Sequence, residues 1–169
     1  MKTLPFVLLC IIAICFVACK KNSPTVYPSH QGSITGSGTI TMNPETKFTH
    51  FIRFDTTIAG APSTSIGIDC SIDTSNFNIS LANIRNTGKY NLGQNYDSLP
   101  YTTAIITYSD ATSMALYSSL LTSLYTTNNP GTVTITAIST SSITGTYSAI
   151  LTSTSNSSIS ISGTFTGSF

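Results

Sequence analysis

The chain has 169 residues, of which only 8% are charged, with seven basic side chains against six acidic ones and no tryptophan. Ordinary soluble domains carry roughly 25% charged residues, so Ser, Thr and Asn must supply most of the polar surface. The near-neutral balance excludes the basic footprint that nucleic acid requires, and the length suits one domain with a core of its own.

The chain opens with one positive charge, Lys2, then an apolar run over residues 4–18, then Cys19, Lys20 and Lys21. A short basic region, an apolar core and a small residue before the cut form the signal-peptide pattern. The run falls short of the roughly 20 residues a helix needs to span a bilayer core, and Pro5 also argues against a permanent span. No recurrent polar position marks a solvent face, which argues against a buried core helix. The residues Phe16-Val17-Ala18-Cys19 resemble the lipobox of bacterial lipoproteins. That resemblance implies removal of residues 1–18 and diacylglycerol on Cys19; Phe16 departs from the Leu most often found there. Lys20, in place of the Asp that retains lipoproteins at the inner membrane, implies an outer-membrane address. Two or more acyl chains hold stably, since each buried methylene contributes about 0.8 kcal/mol. Lys20 and Lys21 add about 1 kcal/mol each near anionic head groups.

The four cysteines then divide. Cys10 and Cys15 leave with the leader, Cys19 takes the lipid, and Cys70 remains. No intramolecular disulfide follows, so an exported domain of this kind relies on its core. Cys70 alternates with Ile66, Ile68 and Ile72, the setting of a small buried hydrophobe rather than a reactive thiol. Cleavage also removes Lys2, leaving six basic side chains against six acidic ones.

Residues 19–32, with Pro24 and Pro28 and little apolar material, read as the lipidated Cys followed by a tether. Residues 33–169 read as a single domain, dominated by period-two alternation. Ile34, Ile40 and Met42 alternate with Ser and Thr; Gly36 and Gly38 share their parity, which predicts a bend or bulge. Phe48, His50, Ile52 and Phe54 share one face. Further runs are Phe77, Ile79 and Leu81; Tyr90 and Leu92; and Ala104, Ile106 and Tyr108. Within 111–125, Met114, Tyr117, Leu121, Leu124 and Tyr125 recur at helical spacing, which predicts a short helix near 112–125 capping one open end. The last runs are Val133, Ile135 and Ala137; Ile143, Tyr147, Ala149 and Leu151; and Ile159, Ile161, Phe165 and Phe169. Turn residues at Pro44, 60–62, Gly88, 128–131 and 155–158 separate them. Short strands at such spacing predict an all-β fold, an antiparallel β-sandwich or closed barrel.

Within the later runs, Gly88-Lys-Tyr90-Asn-Leu92-Gly93, Gly131-Thr-Val133-Thr-Ile135-Thr136, Ile143-Thr-Gly145-Thr-Tyr147 and Ile161-Ser-Gly163-Thr-Phe165 follow in order. They resemble small β-rich lipoproteins of Bacteroidetes over roughly the last half of the chain. That resemblance implies a sandwich or barrel on the outer membrane and brings no active residues.

Candidate chemistry is sparse. His30 and His50 are distant, and no carboxylate or thiolate stands at zinc-ligand spacing. No Gly-x-Ser-x-Gly elbow or triad is present. Asp69 and Asp73, four apart, would need further oxygens to hold calcium. Neither a catalytic centre, a metal nor a cofactor is therefore expected. The stretch 93–101 offers Gln94, Asn95, Tyr96, Asp97 and Tyr101, a mix that contacts sugars or peptides by hydrogen bonding and ring stacking. The plainer reading is an ordinary turn shaped by Pro100, and the lack of Trp weighs against a sugar. Asp55-Thr56-Thr57 and Asp97-Ser98-Leu99 resemble the O-glycosylation acceptor of exported Bacteroidetes proteins, which implies modification at Thr56 and Ser98. Phe169, in parity with Ile161 and Phe165, raises an integral outer-membrane barrel. Short, glycine-broken strands and a redundant lipid anchor argue against it. The expectation is a non-catalytic outer-membrane lipoprotein, structural, adhesive or binding a glycan or protein; the alternative is a periplasm-facing accessory of a transport or assembly complex.

Overall fold

The computed structural model describes residues 25–26, 30–42, 48–58, 60–72, 74–84, 86–94, 103–125 and 129–169. Alternating β-branched, aromatic and hydroxyl residues pair into antiparallel hairpins, because such strands can bury one face and wet the other. The elements are β1 (Thr25–Val26), β2 (His30–Gly38), β3 (Phe48–Ile58), β4 (Ala61–Ile72), β5 (Ser75–Ile84), β6 (Gly88–Asn91) and β7 (Gly93–Gln94). They continue with β8 (Thr103–Asp110), β9 (Ala115–Ser118), α1 (Ser119–Tyr125), β10 (Gly131–Ile138), β11 (Ser142–Ser153) and β12 (Ser158–Ser168). The fold is all-β, one curled antiparallel sheet with, among the described residues, a single short helix.

The sheet runs β12-β2-β3-β4-β5-β8-β9-β11-β10-β6, and β12 also pairs with β11, so the path returns on itself. The β11–β12 ladder is continuous from Ser142↔Ser168 to Thr152↔Ser158. Two seams are narrow among the described residues: β2 meets β3 through His30↔Phe51 and Gln31↔His50, and β9 meets β11 through Thr152↔Ser118 and Ser153↔Tyr117. Beyond β9, β7 continues the edge of β8 and β6 that of β10. Helix α1 packs against β11, β8 and β7 beside this seam. We call the end bearing Ile58, Ile84, Thr103 and the β10–β11 turn the upper end.

Parity decides what lies inside. On β11, Ile143, Tyr147, Ala149 and Leu151 are buried, while Thr144, Thr146 and Ser148 are exposed. On β12, Ile161 and Phe165 point in, and Ser160, Ser162, Thr164 and Thr166 point out. The interior is a packed core containing Phe51, Phe77, Phe165, Ile68, Ile79 and Ile106. Outside, neighbouring hydroxyls bond across strands, Thr35 to Thr164 at 2.8 Å and Thr144 to Thr166 at 3.0 Å. Gly167 has a packing reason: a Cβ there would lie 2.4 Å from the Phe51 ring, so the glycine is what lets that ring reach the core.

The structure corrects several expectations. Pairing begins inside the stretch read as tether, since β1 pairs with β3 through Thr25↔Asp55 and Val26↔Phe54 and β2 starts at His30. The strands are not all short: β3 and β12 have 11 residues and β4 and β11 have 12. The buried parity of β3 is that of Phe51, and His50, Ile52 and Phe54 are only half-buried on the other face. Gly36 is a close approach, since a Cβ there would meet the Tyr147 hydroxyl at 2.5 Å. The expected bend does fall just past Gly38, whose φ is +137° and beyond which the chain turns at 39–40 so that Met42 bridges back to Gly36. The helix occupies only 119–125, because 115–118 is drawn into pairing with β8. Met114 and Leu124 are 92% and 67% exposed, so the helical spacing does not define the buried face.

What fixes α1 is polar. The Ser118 hydroxyl accepts from Leu120 N at 3.2 Å, as an N-cap does. The buried Ser119 hydroxyl accepts from Ile106 N at 3.0 Å. Thr122, also buried, donates to the Ile150 carbonyl at 2.8 Å and lies 2.9 Å from the Thr152 hydroxyl. Thr122→Val strips these bonds while keeping the shape, so unfolding in urea should show a loss of about 1–3 kcal/mol. The exposed Leu124→Ala should change stability by less than about 0.5 kcal/mol.

Tyr147 adds a pH dependence. Its hydroxyl donates to the Thr35 carbonyl at 2.9 Å, and burial raises its pKa well above the ordinary 10.0. An acid whose folded pKa is raised keeps its full contribution below the unfolded value and loses it as pH climbs beyond. Stability should therefore fall above pH 10.0, and Tyr147→Phe, measured by thermal melts from pH 8 to about 12, should flatten that fall.

Candidate functional site

Two places on the molecule gather side chains that do more than fill the core. The first is the upper mouth of the barrel. Arg53 projects inward from β3 with only 11% of its side chain accessible. Its Nε donates to both Asp55 carboxylate oxygens, at 2.9 and 3.1 Å. Its Nη1 donates to the Ser139 carbonyl in the β10–β11 turn, and Nη2 lies 3.4 Å from the Thr64 hydroxyl. Thr64 in turn donates to Asp55 at 2.8 Å. The guanidinium carbon stands 5.7 Å from the Phe169 ring centroid, within cation–π range. A hollow of about 240 Å³ lies here, lined by Arg53, Thr64, Ile84, Ile138, Ser139 and Thr140. The fork is already engaged by a carboxylate, a carbonyl and a hydroxyl, so its chemistry is that of a clamp across β3, β4 and the β10–β11 turn.

The second place is on the outer wall formed by β3, β4, β5 and β8. Register sets its outward side chains in rows. Ile52, Gly67, Ser80 and Ile105 lie in one row, and Phe54 and Ser65, with Ala82 and Thr103, lie in the next toward the upper end. Toward the lower end the rows turn mostly polar: His50, Asp69, Asn78 and Thr107, then Phe48, Ser71, Asn76 and Ser109, with Phe48 the one apolar position. Asp69 accepts from Asn78 at 2.6 Å. At the centre of the apolar rows Gly67 leaves a gap, since a Cβ there would meet nothing within 4 Å. The result is a hollow of about 310 Å³, bordered by Phe54, Gly67, Ala82, Thr103 and Ile105, with no charged residue in its lining.

The sequence-derived candidates fall as follows. Gln94 ends β7 and pairs with Thr103, which borders the outer hollow. Asn95, Tyr96, Asp97, Ser98 and Tyr101 lie outside the described residues, as does Cys19. Thr56 is exposed on β3, opposite Ser63. His50 is half-buried on β3 across from Asp69. Cys70 is buried in the core. Phe169 turns into the barrel mouth and is 7% exposed, not outward. Among the described residues no group of three or more His, Cys, Asp or Glu is placed to hold a metal ion.

Asp110, at the β8–β9 turn, has its pKa lowered by the Ser113 hydroxyl and the Thr112 N–H, which is a turn-closing arrangement. Sequence reasoning missed both hollows. The outer one has no local signal, because its border comes from four strands and exists only in their register.

Comparison with protein-family models, with curated proteins and with solved structures found no match for this chain. The mouth clamp is open to a direct check. Arg53→Leu leaves the Ser139 carbonyl and the Asp55–Thr64 pair without their donor, and chemical denaturation should register a loss of about 1–3 kcal/mol.

Proposed function

We propose that the chain is a bacterial lipoprotein held on the outer membrane by lipid on Cys19, with a non-catalytic structural or ligand-binding role close to the bilayer. The observation that carries this reading is the place where pairing starts. Thr25, the first residue of β1, lies only six positions after Cys19 and is paired with Asp55 at the upper end of the barrel. Six extended residues reach about 20 Å at most, so an anchor at Cys19 keeps the mouth, the outer hollow and the roots of 94–103 near the head groups. A long-reach adhesin is poorly served by so short a stem. A glycan or protein ligand would have to be met at the membrane surface, which equally suits a periplasm-facing accessory of a transport or assembly complex.

The distribution of side chains also weighs on the integral barrel. Strand length no longer argues against it, since β3–β5, β11 and β12 each have 10–12 residues. Polarity does, because the interior is apolar and β11 and β12 face outward with Ser and Thr. A transmembrane barrel needs an outward apolar band and a polar lumen.

Intact-mass measurement of the protein taken from its own membranes tests the reading. The expected product lacks residues 1–18 and carries two or three acyl chains on Cys19. A bare Cys19, or a retained leader, overturns the anchor. The same spectrum should show added hexose if Thr56 and Ser98 are glycosylated, and its absence refutes that part alone. Protease shaving of intact cells should release the domain if it faces outward and spare it if it faces the periplasm.

A further inference from the structure

We propose that the upper half of the β3–β4–β5–β8 wall lies against the membrane surface, with the hollow at Gly67 accepting lipid chains. This rests on the anchoring of Cys19 proposed above.

The first argument is where the chain outside the described body ends. β1 hydrogen-bonds to β3 at Val26↔Phe54, and Phe54 borders the hollow, so the stem from Cys19 arrives at this wall. An anchor about 20 Å away or less holds the wall at high local concentration next to lipid. The second argument is the polarity gradient along the strands. Ile52, Phe54, Ala82 and Ile105 occupy the half of the wall nearest the stem, and Ile58, 41% exposed, extends the apolar surface to the upper end of β3. Asp69, Asn78 and Asn76 occupy the half further away, where Phe48 is the one apolar position. Such a split along one face matches the interfacial boundary between acyl chains and water. The third argument is contrast. The outward faces of β11 and β12 carry hydroxyls in every row and only Ile150 as a large exposed apolar residue. A wall meant only for water would have been built the same way.

The test uses the acylated full-length protein reconstituted into vesicles of phosphatidylethanolamine and phosphatidylglycerol. Ser80→Cys and, on the hydroxyl wall, Thr146→Cys each receive an environment-sensitive fluorophore, with Cys70 buried and Cys19 occupied by lipid. Spin-labelled lipid should quench the probe at position 80 several-fold more than the probe at 146. Gly67→Asp, whose Cβ would meet nothing within 4 Å, should remove most of that difference while the protein still floats with the vesicles. Equal quenching at the two positions, or stronger quenching at 146, overturns the proposal while leaving the anchor intact. Failure to float shows instead that the anchor itself is wrong, and the docking falls with it.

Discussion

Every long strand of this protein has an apolar edge that must leave water, and the uninterrupted β11–β12 ladder lets all of them leave together. Because β12 also pairs with β2, the sheet curls until its inward faces meet around Phe51, Phe77 and Phe165. Without that ladder β12 and β2 would form a free flap, and the inward residues of β11 would lose the wall they pack against. Glycine at 167 serves the same end by yielding space to the ring of Phe51. Cys70, the one cysteine among the described residues, is itself buried in this core. Apolar burial, at roughly 25 cal/mol per Å², has to do the work.

Where backbone pairing is thin, buried polar side chains take over. At the β9–β11 seam the hydroxyls of Ser119 and Thr122 bond to Ile106 N and the Ile150 carbonyl. At the upper mouth Arg53 ties β3 to the β10–β11 turn while its charge is offset by Asp55. These groups are satisfied, so they specify how the seams close instead of straining them. Elsewhere the exterior holds a hydroxyl-bearing β11–β12 wall and a β3–β4–β5–β8 wall with an apolar half, while Met114, Leu116 and Leu124 are exposed around β9 and α1. That division gives the molecule a direction relative to any surface to which it is tied.

Much of this was legible in the sequence where one parity is purely apolar and the other purely hydroxyl. In 142–149 and 158–168 the alternation is clean, broken in β11 by the outward Ile150, and the strands, their inward faces and their hydroxyl exteriors follow directly. It failed in β3, where Phe51, Ile52 and Phe54 place apolar groups on both faces and the inward parity carries Arg53 and Asp55. A charged pair inside the mouth inverts the usual cue. It failed again at 115–118, because Leu116 and Tyr117 fit a helix and a strand equally well, and the open edge of β8 decided the matter. The two hollows could not have been read at all. Gly67 is unremarkable between Ile66 and Ile68 until the register of three neighbouring strands sets Ile52, Ser80 and Ile105 around it.

The pairing of β2 with β12 governs the order of assembly. Gly32 must find Gly167, and Gly38 must find Ile161, across almost the whole length of the folded body. Hairpins such as β3–β4 and β11–β12 can form as soon as their own residues emerge, but the ring cannot shut until its final strand has been delivered. Such distant pairing pays its loop-closure entropy late and folds slowly. A chain closed this way stays an open ribbon through most of its folding and becomes a barrel only at the last step.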